Sequence, residues 1–498
     1  MGIVVRQSIK SVIVTFFGVL LGGLVTLLSS RFFPKAEYGF TQNLVTIVTS
    51  VSLFSLLGFT STILIIGQKY PVEHKARGTF LAICAVVPLL FSLLICACFF
   101  IFKEPILNLY SVEDRVRMRE YFILFPIFTL IAVALAWIEG YLQSINKVAV
   151  QSFAREILFR VFYVALIVLY GLNVIDYQEF IWLFVFIYLL PFLFLIFFAK
   201  RSGGFVFEYV KGLFSKKEIK EIIRFSAYHM MTMVSMVLIY QFSPLLLGPL
   251  SADGLESVAV FGVATFAVAI LRSPTRVMGV AATPTFSITY QAGKIKELRS
   301  LFMRSSVNMQ LFGIAAFALV YLNIDAIQEV MSFIQKGYGE IKGIILILMI
   351  GQLSDMMSGF NYELIGITKY FRFNFWLAFI VLALVFILNY FLIKELDIYG
   401  AAWATSIGLV FYNILKTLFL WKKYKMQPFS KTSFIIISIG ILAALTTWII
   451  PHFNNVFIDL AIKTMVFSSI FGYIVFKMKI SPELNHLVRK VIKERKLY

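Results

Sequence analysis

Charge is scarce in this chain. Asp, Glu, Lys and Arg make up 14% of its 498 residues, against about 25% in a soluble domain. That is too little polar side chain to cover a water-facing surface of this size. Long polar loops are scarce as well. The longest break between apolar runs, Lys200 to Arg224, is about 25 residues, and a folded aqueous domain needs roughly 50 or more. This excludes an enzyme working on a soluble substrate, and a polymerase or glycosyltransferase built on a large loop. There are only three cysteines, Cys84, Cys96 and Cys98, all in one apolar run with no CxxC spacing and no neighbouring His. Neither a disulfide framework nor a zinc site follows. The four histidines, His74, His229, His452 and His486, are scattered. The Gly-rich stretch "GVLLGG" (Gly18–Gly23) lacks the Lys and Ser/Thr of a phosphate-binding loop. With "GAAWATSIG" (Gly400–Gly408) it reads as close helix packing. No catalytic residue, metal site or cofactor is expected.

Apolar residues are abundant: 60% of the chain is hydrophobic and 16% aromatic, with a mean hydropathy of +0.88. Apolar runs of about 18–25 residues recur, the length a helix needs to cross ~30 Å of hydrocarbon. They exceed barrel strands of roughly 9–11 residues and do not alternate with period two. Backbone groups in lipid must be bonded within the segment, so the spans are helices. About fourteen are expected, starting near Val12, Leu44, Thr79, Tyr121, Ile157, Phe180, Phe225, Val258, Ser306, Ile344, Phe375, Ile398, Ser433 and Asp459. The fold class is an all-α polytopic membrane protein. Arg6 and Lys10 precede the first run, which lacks a small-x-small cleavage site and reads as a span that stays.

The formal net charge of +19 follows this topology. With the N-terminus inside, an even number of spans puts both termini in the cytoplasm. Inner segments then carry roughly 32 Lys and Arg and outer segments roughly 10, as the positive-inside rule requires. The inner set includes Lys200–Arg224, Lys422–Lys431 and the tail Arg489–Lys496. Contact with anionic head groups accompanies it, and nucleic acid is not an expected partner. Spans one to six start roughly 214–227 residues before spans seven to twelve, which predicts a parallel repeat. The expected organisation is a six-helix lobe over 1–199, a basic amphipathic linker over 200–224 and a second six-helix lobe over 225–424. Two further helices over 425–478 and a basic tail over 479–498 complete it. Two such lobes facing each other would enclose a central cavity.

Charges inside the spans are costly and point to function. "AILRSPTRVMG" (Ala269–Gly279) places Arg272 and Arg276 four residues apart, on one helix face. At 1.5 Å per residue Arg272 lies about 20 Å into span eight, in its inner half. Either the pair faces a wet cavity or it snorkels to the inner head groups. A guanidinium suits a phosphate, so in the first case an anionic, phosphate-bearing ligand is the natural partner. Arg31 near the outer end of span one is a weaker candidate. Glu139 in "AWIEGYLQ" and Asp355 in "GQLSDMMSGFNYE" could pair with the arginines or carry a coupling proton or sodium ion. As hydrated interfacial carboxylates they would do neither. His229 reads as a packing histidine.

Three stretches together carry a resemblance. "FFPKAEYGFTQNLVTIVTSVSLFSLLGF" (Phe32–Phe59) and "LRSPTRVMGVAATPTFS" (Leu271–Ser287) are two of them, and "NYFLIKELDIYGAAWATSIGLVFYN" (Asn389–Asn413) is the third. They resemble the polysaccharide-transport branch of the multidrug/oligosaccharidyl-lipid/polysaccharide exporter superfamily. The third departs from the pattern in having Lys394 where a Pro is usual. The resemblance implies two six-helix lobes plus two helices, alternating access, and a bacterial inner-membrane location. It also implies a lipid-linked oligosaccharide cargo, typically on undecaprenyl pyrophosphate, destined for O-antigen, capsule or exopolysaccharide. A polysaccharide polymerase and glycosyltransferases are implied partners, and a proton or sodium gradient is a possible energy source. A lipid II flippase, a cation-coupled multidrug exporter and a membrane scaffold are the alternatives.

Overall fold

The computed structural model describes residues 2–70, 74, 76–145, 147–202, 205, 208, 210, 212–334, 338, 341–451, 453–482 and 485. Every regular element among them is helical. The chain divides into two compact units, Met1–Phe266 with Asn389–Ile398, and Ala267–Leu388 with Tyr399–Tyr498.

The first unit holds α1 (Gly2–Phe32), α2 (Lys35–Ser55), α3 (Phe59–Ile65), α4 (Arg77–Ile101), α5 (Lys103–Leu107), α6 (Val112–Glu120) and α7 (Leu124–Ser144). It continues with α8 (Val148–Phe153), α9 (Phe159–Gly171), α10 (Tyr177–Ile187), α11 (Leu189–Arg201), α12 (Lys216–Leu250) and the start of α13 (Leu255–Gln291). Pro34 stands at the entry to α2, where a missing N–H has no intrahelical partner to lose. Capping boxes start α10 (Asp176 with Glu179) and α12 (Ser215 with Glu218), each satisfying two orphan donors. The exposed Glu218 carboxyl is held below its ordinary range by the backbone and hydroxyl donors of Ser215.

Between α2 and α3 the path bends by 55° at Leu57 and Gly58, both at positive φ. A Cβ on Gly58 would strike the backbone of Ser226 in α12, so only glycine allows this crossing. A hydrogen bond of 2.6 Å between the Thr62 and Ser226 hydroxyls fastens the same contact. Beneath it, Phe59, Phe80, Ile138, Tyr141 and Leu195 form a buried core.

The second unit holds the rest of α13, then α14 (Ile295–Leu322), α15 (Ile324–Ile334), α16 (Ile341–Met357), α17 (Asn361–Ile367), most of α18 (Phe371–Tyr424), α19 (Lys431–Trp448) and α20 (Val456–Lys477). The step from α16 to α17 bends by 46° over Gly359 at φ 64. Leu311, Ile436, Ile439, Phe467 and Phe471 make the core that joins α14, α19 and α20. Helix α18 was expected as two spans with a loop between them. It is two helices that meet at a kink at Asp397, φ 50 and ψ −132, beside the expected start near Ile398. Lys394, where the resemblance has a Pro, lies inside the first of them. Its ammonium donates to the Tyr390 hydroxyl at 2.8 Å.

Seven described helices, with α10 and α11 taken as one and α18 as one, are long and apolar enough to cross a membrane, and counting the two bent pairs brings the number to nine. Each of the fourteen expected starts lies in or next to a helix. Large apolar side chains such as Leu90, Leu94, Trp376, Phe391 and Trp448 stand exposed on these helices, as contact with lipid requires. The three cysteines of α4 are free thiols. The basic tail Arg489–Lys496 lies outside the described residues.

Candidate functional site

Arg272 and Arg276 lie in α13, which runs on unbroken through Pro274 and Pro284 to Gln291. The helix therefore continues for four turns beyond Arg276. The side chains of both arginines lie outside the described residues. Arg31 is exposed in the last turn of α1. His229 stands beside Phe225 with ring centroids 4.4 Å apart. Glu139 and Asp355 each belong to a charged cluster, one in each unit.

In the first unit Glu139 is buried on α7, and its Oε2 lies 3.5 Å from Nη1 of Arg155. Arg155 and Glu156 sit on a π-helical turn, Ala154–Leu158, between α8 and α9. Such wide turns inside α-helices recur at functional sites. One turn on, Arg160 pairs with Glu156 at 2.8 Å and donates to the carbonyl of Gly18. This explains "GVLLGG" better than simple helix packing does. A Cβ on Gly18 would lie 2.6 Å from the Glu156 Cβ, and one on Gly22 would lie 2.8 Å from Arg160 Nη1. The glycines of α1 leave room for an ion pair. Arg155 itself is exposed, with 65% of its side chain accessible, so its pairing with Glu139 leaves part of the guanidinium uncovered.

In the second unit Asp355 at the end of α16 faces two groups that the sequence did not single out, Glu363 of α17 and Lys416 of α18. The Lys416 side chain is buried, 2% exposed, and its ammonium sits 4.0 Å from the centre of the Tyr412 ring. Asp355 and Glu363 supply the negative field on it, although no carboxylate among the described residues lies within 4 Å. A buried ammonium is costly unless compensated. Here the compensation comes from two carboxylates at a distance and a ring face. On the same three helices Gln352 Nε2, Asn361 Nδ2, Asn413 Oδ1 and Thr417 Oγ1 are buried without a hydrogen-bond partner among the described residues. Gly279, the last residue of "AILRSPTRVMG", passes against this cluster. A Cβ there would lie 2.6 Å from Glu363 Oε1.

Arg155, Glu156, Arg160, Glu363 and Lys416 were therefore missed in the sequence. "SFAREILFR" (Ser152–Arg160) holds three of them around the expected start of span five, a place where basic residues commonly mark the membrane boundary. Lys416 stands six residues before the basic segment that starts at Lys422. Glu363 lies in the quoted stretch around Asp355, where the bend at Gly359 that folds it back is not visible.

Apolar helices with charges held inside them define the chain as a multi-pass membrane protein. Solved structures agree on the fold. A lipid II flippase, MurJ, in an inward closed conformation matches with a TM-score of 0.76 at 17% identity, over 95% of this chain and 100% of that one. An inward-facing multidrug MATE transporter matches with a TM-score of 0.67 at 14% identity, over 84% and 98%. A transporter of the same superfamily from Pyrococcus furiosus, described as having a binding pocket of reversed polarity, matches with a TM-score of 0.56 at 15% identity, over 85% and 95%. No curated protein matches. The family model described as polysaccharide biosynthesis protein matches residues 4–290, more than half of the chain, and the chain belongs to that family.

Proposed function

We propose that this protein moves a lipid-linked oligosaccharide, carried on a polyprenyl pyrophosphate such as undecaprenyl pyrophosphate, from the cytoplasmic to the outer leaflet of a bacterial inner membrane. The product feeds O-antigen, capsule or exopolysaccharide synthesis. Transport runs by alternating access between the lobes 1–199 and 225–424, with helices 425–478 outside the repeat and both termini in the cytoplasm. The observation that carries this reading, beside family membership, is Arg155: a guanidinium that is paired with the buried Glu139 and still 65% accessible. Desolvating a pyrophosphate costs several kcal/mol per group, and an anchored guanidinium offsets that with charge-assisted hydrogen bonds. Arg272, Arg276 and Arg31 are proposed as further phosphate contacts along the route. Asp355, with Glu363 and Lys416, is proposed to take up a coupling proton or sodium ion. A polymerase and glycosyltransferases would act beside the flippase.

A lipid II flippase is the second reading, favoured by the fold match across the full length of MurJ. Vesicles holding the purified protein and a labelled lipid-linked oligosaccharide separate these readings. Translocation that is lost when Arg155, Arg272 and Arg276 are each replaced by Ala supports the oligosaccharide flippase. Movement of lipid II alone favours the second reading, and efflux of cationic drugs without either lipid overturns both.

A further inference from the structure

A cleft of about 480 Å³ opens in the second unit beside the first turns of α14. Lys296, Arg299 and Arg304 line it. Met303 and Val307 line it as well. Across the cleft stand Ser430 and Thr432 at the start of α19, where the helix dipole adds positive potential. Among the described residues no carboxylate lines the cleft, and none of the three cations has an ion-pair partner. The floor is apolar: Val307 and Ile480 pack against the buried core of Leu311, Ile436 and Phe467.

Cations at the mouth and hydrocarbon below define an amphiphilic ligand. A free inorganic anion would gain nothing from the apolar floor, and a neutral lipid nothing from three unpaired cations. We propose that this cleft binds the phosphodiester headgroup of an anionic phospholipid of the surrounding bilayer, with its glycerol and first acyl carbons over Met303 and Val307. A basic pocket between membrane helices suits that chemistry, and guanidinium groups grip phosphate oxygens in pairs. The bound lipid would tie α14 to the start of α19 and the end of α20, apart from the charged clusters described above.

Native mass spectrometry of the full chain in detergent tests this, with dioleoyl phosphatidylglycerol and dioleoyl phosphatidylethanolamine as probes. Wild type should retain the anionic lipid at a concentration at least ~10-fold lower than the zwitterionic one, given about a fivefold contribution per basic side chain. The triple substitution Lys296→Gln, Arg299→Gln, Arg304→Gln should abolish the preference. Equal retention of the two lipids by wild type, or an undiminished preference in the triple variant, overturns the proposal. So does equally strong competition by glycerol 3-phosphate, which marks a site for a free anion, or displacement by undecaprenyl pyrophosphate alone, which marks a station for cargo. Should the triple variant fail to fold, Arg304→Gln and the floor-filling Val307→Trp take its place. Arg304→Gln should weaken the anionic lipid by about fivefold and Val307→Trp should obstruct it, and full retention in both overturns the site.

Discussion

Gly279 of α13 and Glu363 of α17 approach so closely that a single methyl group on the glycine would lie 2.6 Å from the carboxylate oxygen. The motif that first drew attention for its two arginines thus ends against an acidic group, one turn of helix beyond Arg276. Gly279→Ala separates packing from function. The obstructed atom is the far end of a flexible side chain, so it can move aside. The helix also gains about 0.5–1 kcal/mol from replacing glycine. Thermal unfolding in detergent should therefore shift by less than about 1 kcal/mol in either direction, while flipping slows at least ~10-fold, a loss of about 1.4 kcal/mol in the transport step. Wild-type transport in this variant would remove Glu363 from the mechanism.

Lys416 and its two carboxylates make a double-substitution test. Lys416→Met keeps the volume and removes the charge, leaving Asp355 and Glu363 without their buried cation. Breaking such an arrangement from one side costs about 3–5 kcal/mol, less where the remaining carboxylate takes up a proton. Adding Glu363→Gln should recover at least 1 kcal/mol of that loss, since groups sharing one field couple by roughly 0.5–3 kcal/mol. Chemical denaturation of the four variants in detergent measures the coupling, and strictly additive effects would show that the two residues do not sense each other.

How much of this was legible beforehand follows from which forces act over short sequence distances. Helical spans are legible because lipid forces backbone bonds inside each segment, so the apolar runs of α4, α7, α19 and α20 announce themselves. Glu139 and Asp355 stood out because an isolated carboxylate in such a run is expensive. The partners are set by tertiary packing and were not legible: Arg155 comes to Glu139 only through a π-helical turn, and Glu363 comes to Lys416 only after the bend at Gly359. The glycines of "GVLLGG" were correctly read as sites of close approach. What approaches them is an ion pair, because Arg160 reaches across from α9, and nothing in α1 itself specifies that.

The same glycines give a stability test with an internal control. At Gly18 the obstruction is the Glu156 Cβ, a rigid atom close to its backbone. Gly18→Ala should cost about 1–3 kcal/mol by overpacking, offset by less than 1 from helix propensity. Gly472 in α20 has nothing within 4 Å of its would-be Cβ, so Gly472→Ala should be neutral or slightly stabilising. Thermal melts of the two variants side by side decide this. Equal stability would mean that α1 does not pack on the Glu156–Arg160 pair as described.

The turn between α12 and α13 is gripped by two carboxylates. Asp397 accepts from the Ser251 hydroxyl at 2.6 Å and from the Ala252 N–H at 3.0 Å. Asp114 accepts from the Leu255 N–H at 3.0 Å, beside Gly254 at positive φ. Asp397 pays for this position with a backbone conformation, φ 50 and ψ −132, that favours glycine. Replacement therefore has two opposed effects. Asp397→Gly relieves the strain and loses the bonds, whereas Asp397→Ala loses the bonds and keeps the strain. Hydrogen bonds to a charged group contribute about 1.5–3 kcal/mol, and the strain is of order 1–3 kcal/mol. Asp397→Ala should thus lower stability by roughly 2 kcal/mol, and Asp397→Gly by at least ~1 kcal/mol less than Ala. Asp397→Asn keeps an acceptor and should fall closest to wild type. Protease sensitivity of the turn should follow the same order, with Ala the most readily cut. If Gly and Ala destabilise equally, the interruption in α18 carries no strain and the carboxylate bonds alone hold the turn.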